Sequence, residues 1–230
     1  ATQRLKALKA AVAQAEAAVA QAEQEQAELE ALMAAPETYQ DAAKAAELGV
    51  ELVVLDAQDS AETQASQVED FITRGVDLLI INPVDSDAIG TSVMACNEAN
   101  IPVITVTRAS NAGTVVQHLD IDNKEAGRLD AEQLLKDLDG KGKVAILEGI
   151  AGSSSAIERE EGFVDALKGS EVEVVTSLTA NYSREEGATV TEDILQSNPE
   201  LDAIYAHNDE MALGAVRAVA AAGRSAEIKI

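Results

Sequence analysis

The sequence predicts an α/β protein with parallel sheets, and three observations carry that prediction. From Gly49 onward, short and nearly continuous apolar runs alternate with amphipathic stretches. The runs stay apolar on consecutive positions, as strands buried on both faces do. The βαβα order also restarts near Arg108–Gly113, where polar and Gly-containing Ala109–Gly113 links two α/β units of unequal size.

The elements follow in order. Residues 1–35 contain no Gly or Pro and place apolar or small residues at Leu5, Leu8, Val12, Ala15, Val19, Ala22, Leu29 and Met33. Spacings of three and four make this one long heptad-patterned helix that needs a partner. Pro36 ends it, and Glu37–Leu48 reads as a shorter helix. Strands are expected at Glu51–Leu55, Leu78–Ile81, Pro102–Val106, Thr114–Ile121, Lys143–Leu147, Val172–Leu178 and Ala203–Ala206. The intervening helices are Ala61–Thr73, Asp87–Glu98, Lys124–Leu138, Ser155–Leu167, Arg184–Gln196 and Asp209–Ala221. Glu227–Ile230 begins one more strand. The expected organisation is a helix over 1–35, an incomplete first α/β lobe over 36–108 and a second lobe over 109–230.

Composition excludes several functions. Lys and Arg number 17 and Asp and Glu 41, a net charge of −24. Such a surface repels phosphate backbones and acidic headgroups, which argues against nucleic acid and membrane surfaces as partners. No apolar run approaches the ~20 residues of a membrane span. Cys96, the single cysteine, lies in an apolar helical pattern and reads as a small buried hydrophobe. His118 and His207 stand alone, so no metal site is expected. No basic-then-apolar leader opens the chain.

Ligands of open α/β sheets bind beyond the carboxyl ends of the strands. The residues there include Asp56, Asn82-Pro83, Thr107, Arg108, Gly149–Ser154 with Arg159, Asn181-Tyr182, and His207-Asn208-Asp209. Arginine offers a planar fork of donors, Asn both donor and acceptor, and Tyr182 an apolar ring. That set suits the vicinal hydroxyls of a small polyol. No nucleophile has an evident base, so no catalytic residue and no cofactor is expected. Gly149–Ser154 lacks the Gly-Lys-Ser/Thr ending of a P-loop. Asp85, Ser86, Asn123 and Asn208 also read as helix N-caps. Arg159 could pair with Glu158 or Glu160, and Arg108 could form an ion pair between lobes.

Longer motifs carry a resemblance. Leu52-Val-Val-Leu-Asp56, Ile80-Ile-Asn-Pro-Val-Asp-Ser-Asp-Ala88, Ala99-Asn-Ile-Pro-Val-Ile-Thr105, Gly149-Ile-Ala-Gly-Ser153, Arg159-Glu-Glu-Gly-Phe163 and His207-Asn-Asp-Glu-Met-Ala-Leu-Gly-Ala215 stand in collinear order. Together they resemble the periplasmic ribose-binding proteins, the sugar-binding components of ABC importers. The resemblance implies two flavodoxin-like lobes around a sugar cleft, a periplasmic location and an importer permease as partner. It maps sugar contacts to Arg108, Arg159, Tyr182 and Asn208, with Tyr182 in place of the family's phenylalanine. Thr107 stands where the family has an aspartate, which removes a charged acceptor. The match begins at Gln40, without the family's first strand, and the sequence stops at Ile230 before the family's later crossings. A chimeric or engineered scaffold without ligand, self-associating through residues 1–35, is therefore the alternative expectation. The effector domain of a transcription regulator is a further one.

Overall fold

The computed structural model describes residues 51–230. The chain divides into two compact units, Ala1–Leu55 and Asp56–Ile230. The expected helices over 1–35 and Glu37–Leu48 lie outside the described residues. Residues 51–55 form no strand, and Leu52, Val53, Val54 and Leu55 are exposed. This corrects the strand expected at Glu51–Leu55. An apolar extended segment becomes a strand only when a neighbour pairs its N–H and C=O groups, and none of the described residues does so.

The second unit runs α1 (Ala61–Arg74), β1 (Leu79–Ile81), α2 (Ile89–Glu98), β2 (Val103–Val106), β3 (Gln117–Leu119), α3 (Asn123–Asp137), β4 (Lys141–Glu148), α4 (Ser154–Leu167), β5 (Glu171–Thr179), α5 (Arg184–Ser197), β6 (Ala203–Ala206) and α6 (Asp209–Ala221). The β3 strand is shorter than the expected Thr114–Ile121. Glu227–Ile230 contributes a single parallel bridge, Lys229 to Ala203.

Local chemistry sets the helix boundaries. Ser60 starts α1 by accepting from Thr63 N–H at 3.1 Å, and Gly75 ends it at φ +68°. Ser153, Ser183 and Asn208 open α4, α5 and α6 in the same way. Asp122, rather than Asn123, caps α3. Asp85 Oδ1 accepts from Asp87 and Ala88 N–H, so the chain turns there and α2 begins only at Ile89.

Two three-stranded parallel sheets result, in the orders β1-β2-β3 and β5-β4-β6. In the first, Leu79, Ile81 and Val103 pack under Val68, Ile89, Val93 and Cys96 of α1 and α2. Burial pushes the Cys96 thiol pKa up, as for a thiol packed as a hydrophobe. In the second, β4 is central, and Val144 to Leu147 are completely buried. Ala145 and Leu147 face Ile194, Met211, Ala215 and Val219 on α5 and α6. Val144 and Ile146 face Ala131, Leu134, Phe163 and Leu167 on α3 and α4. A Cβ on Gly127 would lie 2.0 Å from the Arg159 carbonyl, so glycine there lets α3 approach α4 beside Arg159.

Candidate functional site

The carboxyl ends of both sheets meet at five loops. Ser86 N–H donates to the Gly152 carbonyl at 3.1 Å, and Ser86 Oγ accepts from Ser154 N–H at 3.2 Å. Ala109 N–H in turn donates to Ser154 Oγ at 2.9 Å. Ser86 therefore ties the two sheets together and does not cap a helix.

Four of the five expected ligand residues form one chain of contacts across these loops. Arg108 follows β2. Its guanidinium donates to the Pro83 carbonyl at 3.1 Å and lies 5.2 Å from the centre of the Tyr182 ring. Tyr182 follows β5, and its carbonyl accepts from Asn208 Nδ2 at 3.3 Å. Asn208 Oδ1 accepts from Met211 N–H at 3.0 Å, so the same amide caps α6. Arg159, on α4, donates through Nε to Asn123 Oδ1 at 2.9 Å and through its guanidinium to the His207 carbonyl, next to Asn208.

Neither arginine forms the ion pair expected as an alternative. Both bind carbonyl oxygens instead. Thr107 is exposed at φ +60°, and its N–H donates to the Leu119 carbonyl at 2.8 Å. Its side chain does not join the contact chain.

A cavity of about 590 Å3 opens beside Arg159 and Asn208, with Asp130, Phe163, Tyr205 and His207 in its wall. Tyr205 stacks on Phe163 with ring centres 3.9 Å apart. Burial raises the Tyr205 hydroxyl and the Asp130 carboxyl pKa values. His207 is 2% exposed, and burial lowers its pKa to about 4. Its Nδ1 accepts from Gly149 N–H at 3.2 Å, which leaves the neutral ring's proton on Nε2.

The arrangement offers donors at Arg108 and Arg159, a donor and acceptor at Asn208 and an aromatic face at Tyr182. These are the groups that hydrogen-bond vicinal hydroxyls and pack against an apolar ring face. Among the described residues no group of three His, Cys, Asp or Glu is placed to hold a metal ion. Sequence reasoning read Asn123 only as a cap, where it orients Arg159, and missed the hydroxyl of Ser155. Asp122 beside Asn123 was the available signal, because Asp122 caps α3 and Asn123 is left to bond Arg159.

A family model described as a periplasmic binding protein domain matches residues 35–230. The chain belongs to the periplasmic binding protein family. It is 43% identical to the ribose import binding protein of Escherichia coli K12 over 182 residues, covering 79% of this chain and 62% of that protein. The ribose import binding protein of Bacillus subtilis 168 is 42% identical over 177 residues, 76% of this chain and 57% of its own. The chain therefore spans about three fifths of the length of these relatives. Among solved structures, a Caulobacter myo-inositol binding protein bound to myo-inositol aligns with a TM-score of 0.76 and 38% identity, over 80% of this chain and 64% of that one. An arabinose transporter component from Shewanella sp. ANA-3, bound to L-arabinofuranose, aligns at 0.76 and 32%, over 83% and 67%. The two-sheet α/β architecture is the family's, and these relatives are binding proteins by name.

Proposed function

We propose that this chain binds a small sugar of the ribose type, reversibly and without chemistry, between the carboxyl ends of its two sheets. The supporting observation is the contact chain from Arg108 through Tyr182 and Asn208 to His207 and Arg159. It draws on loops after β2, β5 and β6 and on α4, so both sheets contribute. The relatives' names and bound molecules, ribose, myo-inositol and L-arabinofuranose among them, support a small sugar or polyol as the ligand. Family membership supports delivery to an ABC importer permease and a periplasmic location. Among the described residues no helix is long and apolar enough to cross a membrane. Thr107 in place of an aspartate leaves the sugar without one charged acceptor, so binding is weaker than in the relatives.

The test is calorimetric titration of the chain with D-ribose, L-arabinose, myo-inositol and D-glucose. Saturable heat with one of the first three, abolished in Arg159→Ala, supports the proposal. A cooperatively unfolding chain that gives no heat with any of them overturns it. Self-association through residues 1–35 is a separate proposal. Light scattering that shows the same mass with and without those residues would sink it.

A further inference from the structure

Tyr182 is held from every side. Asn181 and Tyr182 both have positive φ, +50° and +58°, although neither is glycine. Consecutive left-handed residues are strained, and an aromatic one is an outlier that its surroundings must hold in place. Three features do so here. The Tyr182 carbonyl accepts from Asn208 Nδ2. The phenol oxygen shares hydrogen bonds with Ser153 Oγ at 3.2 Å and Ser155 Oγ at 3.0 Å. The ring edge also lies on Gly149, where an added Cβ would sit 2.1 Å from Tyr182 Cζ. Ser153 is fully buried and Ser155 is 2% exposed. The phenol hydroxyl is thus spent on the protein, and what Tyr182 presents is its ring.

We infer that Ser153 and Ser155 are positioning residues of the binding site, which lock the Tyr182 ring over Gly149 as a rigid wall that sets sugar selectivity. The inference rests on the sugar-binding proposal and extends it. A ring fixed at its hydroxyl cannot swing to suit a larger ring, so it favours ligands whose C–H face matches its one orientation. Arg108 already lies over this ring. A sugar that packs on that face displaces the guanidinium, which is then free to bond the sugar's hydroxyls.

The experiment compares the full chain with Ser155→Ala, Tyr182→Phe and Gly149→Ala. Two signals are read: the Kd for D-ribose and D-glucose, and the near-ultraviolet circular dichroism of the unliganded chain. The sequence has three tyrosines and no tryptophan, so that band reports on tyrosine packing. Tyr39→Phe combined with Tyr205→Phe isolates the share of Tyr182. Ser155→Ala is expected to diminish the Tyr182 band and weaken ribose binding about 3–10-fold. It should also narrow the ribose-to-glucose ratio, which a merely structural loss would leave unchanged. Tyr182→Phe should match it in both Kd effects, and Gly149→Ala should exceed it. Unchanged Kd values and ratio in Ser155→Ala and Tyr182→Phe, with the unmodified chain binding ribose, would overturn the inference alone. No heat from the unmodified chain would overturn the sugar-binding proposal beneath it.

Discussion

The two sheets meet at one site but are built to different standards. The β5-β4-β6 sheet is covered on both faces, and its central strand is buried over four consecutive residues. Among the described residues, the β1-β2-β3 sheet is covered on one face, by α1 and α2. On its other face Ile80 is 59% and Leu119 54% exposed. Hydrophobic stabilisation scales with the apolar area removed from water, so the second sheet forms the rigid half of the site. It carries Arg159, Tyr182 and Asn208, while the first supplies Arg108 and Thr107.

Mutations can break this contrast at several strengths. Phe163→Ala should cost about 3–5 kcal/mol in denaturant unfolding, because it empties a fully packed position against Tyr205. Ile80→Thr, at an exposed position, should change stability by no more than about 0.5 kcal/mol. Similar costs at the two positions would mean the sheets do not differ. Arg159→Ala removes a charged donor from Asn123 and from the His207 carbonyl. It should cost about 2 kcal/mol and abolish ribose heat in calorimetry.

Two smaller effects sharpen the contrast. Asn208→Ala loses the α6 cap and the bond to Tyr182, for about 1 kcal/mol in thermal unfolding. His207 has a folded-state pKa of about 4, below its ordinary 6.5. Between those values the unfolded chain binds the proton and the folded chain does not. Stability should thus be full above pH 6.5 and fall as pH drops toward 4, by up to about 1.4 kcal/mol per pH unit. His207→Gln should flatten that slope in unfolding curves measured across the window. In the looser half, Thr107→Asp restores a charged acceptor. It also replaces a β-branched residue at φ +60° with one that tolerates that conformation. Ribose binding should tighten about tenfold by calorimetry, and weaker binding would remove Thr107 from the site.

Much of this was legible in the sequence. Helices with serine or asparagine caps and apolar periodicity lie within two residues of their expected bounds, as α1, α5 and α6 illustrate. Four of the five candidate ligand residues come into one contact chain, because the ends of parallel strands are readable from apolar runs. What stayed hidden depends on partners distant in sequence. Glu51–Leu55 has strand composition, but pairing decides strands and composition does not. Ser86 looks like a cap and instead bonds across to Ser154. Arg159 is flanked by Glu158 and Glu160, yet it finds a carbonyl oxygen 48 residues away, as Arg108 finds one 25 residues away. Nothing near Tyr182 in the chain announces Ser153 and Ser155.

The most direct measurement is amide hydrogen exchange on the full chain, with and without saturating D-ribose. Without sugar, β4 and β6 amides should be the most protected and β1 amides markedly less so. Ribose should slow exchange at Arg108, Tyr182–Ser183 and His207–Asn208 together and leave β4 unchanged. Exchange that is identical with and without ribose, or protection confined to one sheet's loops, would contradict a sugar site shared by a rigid and a looser half.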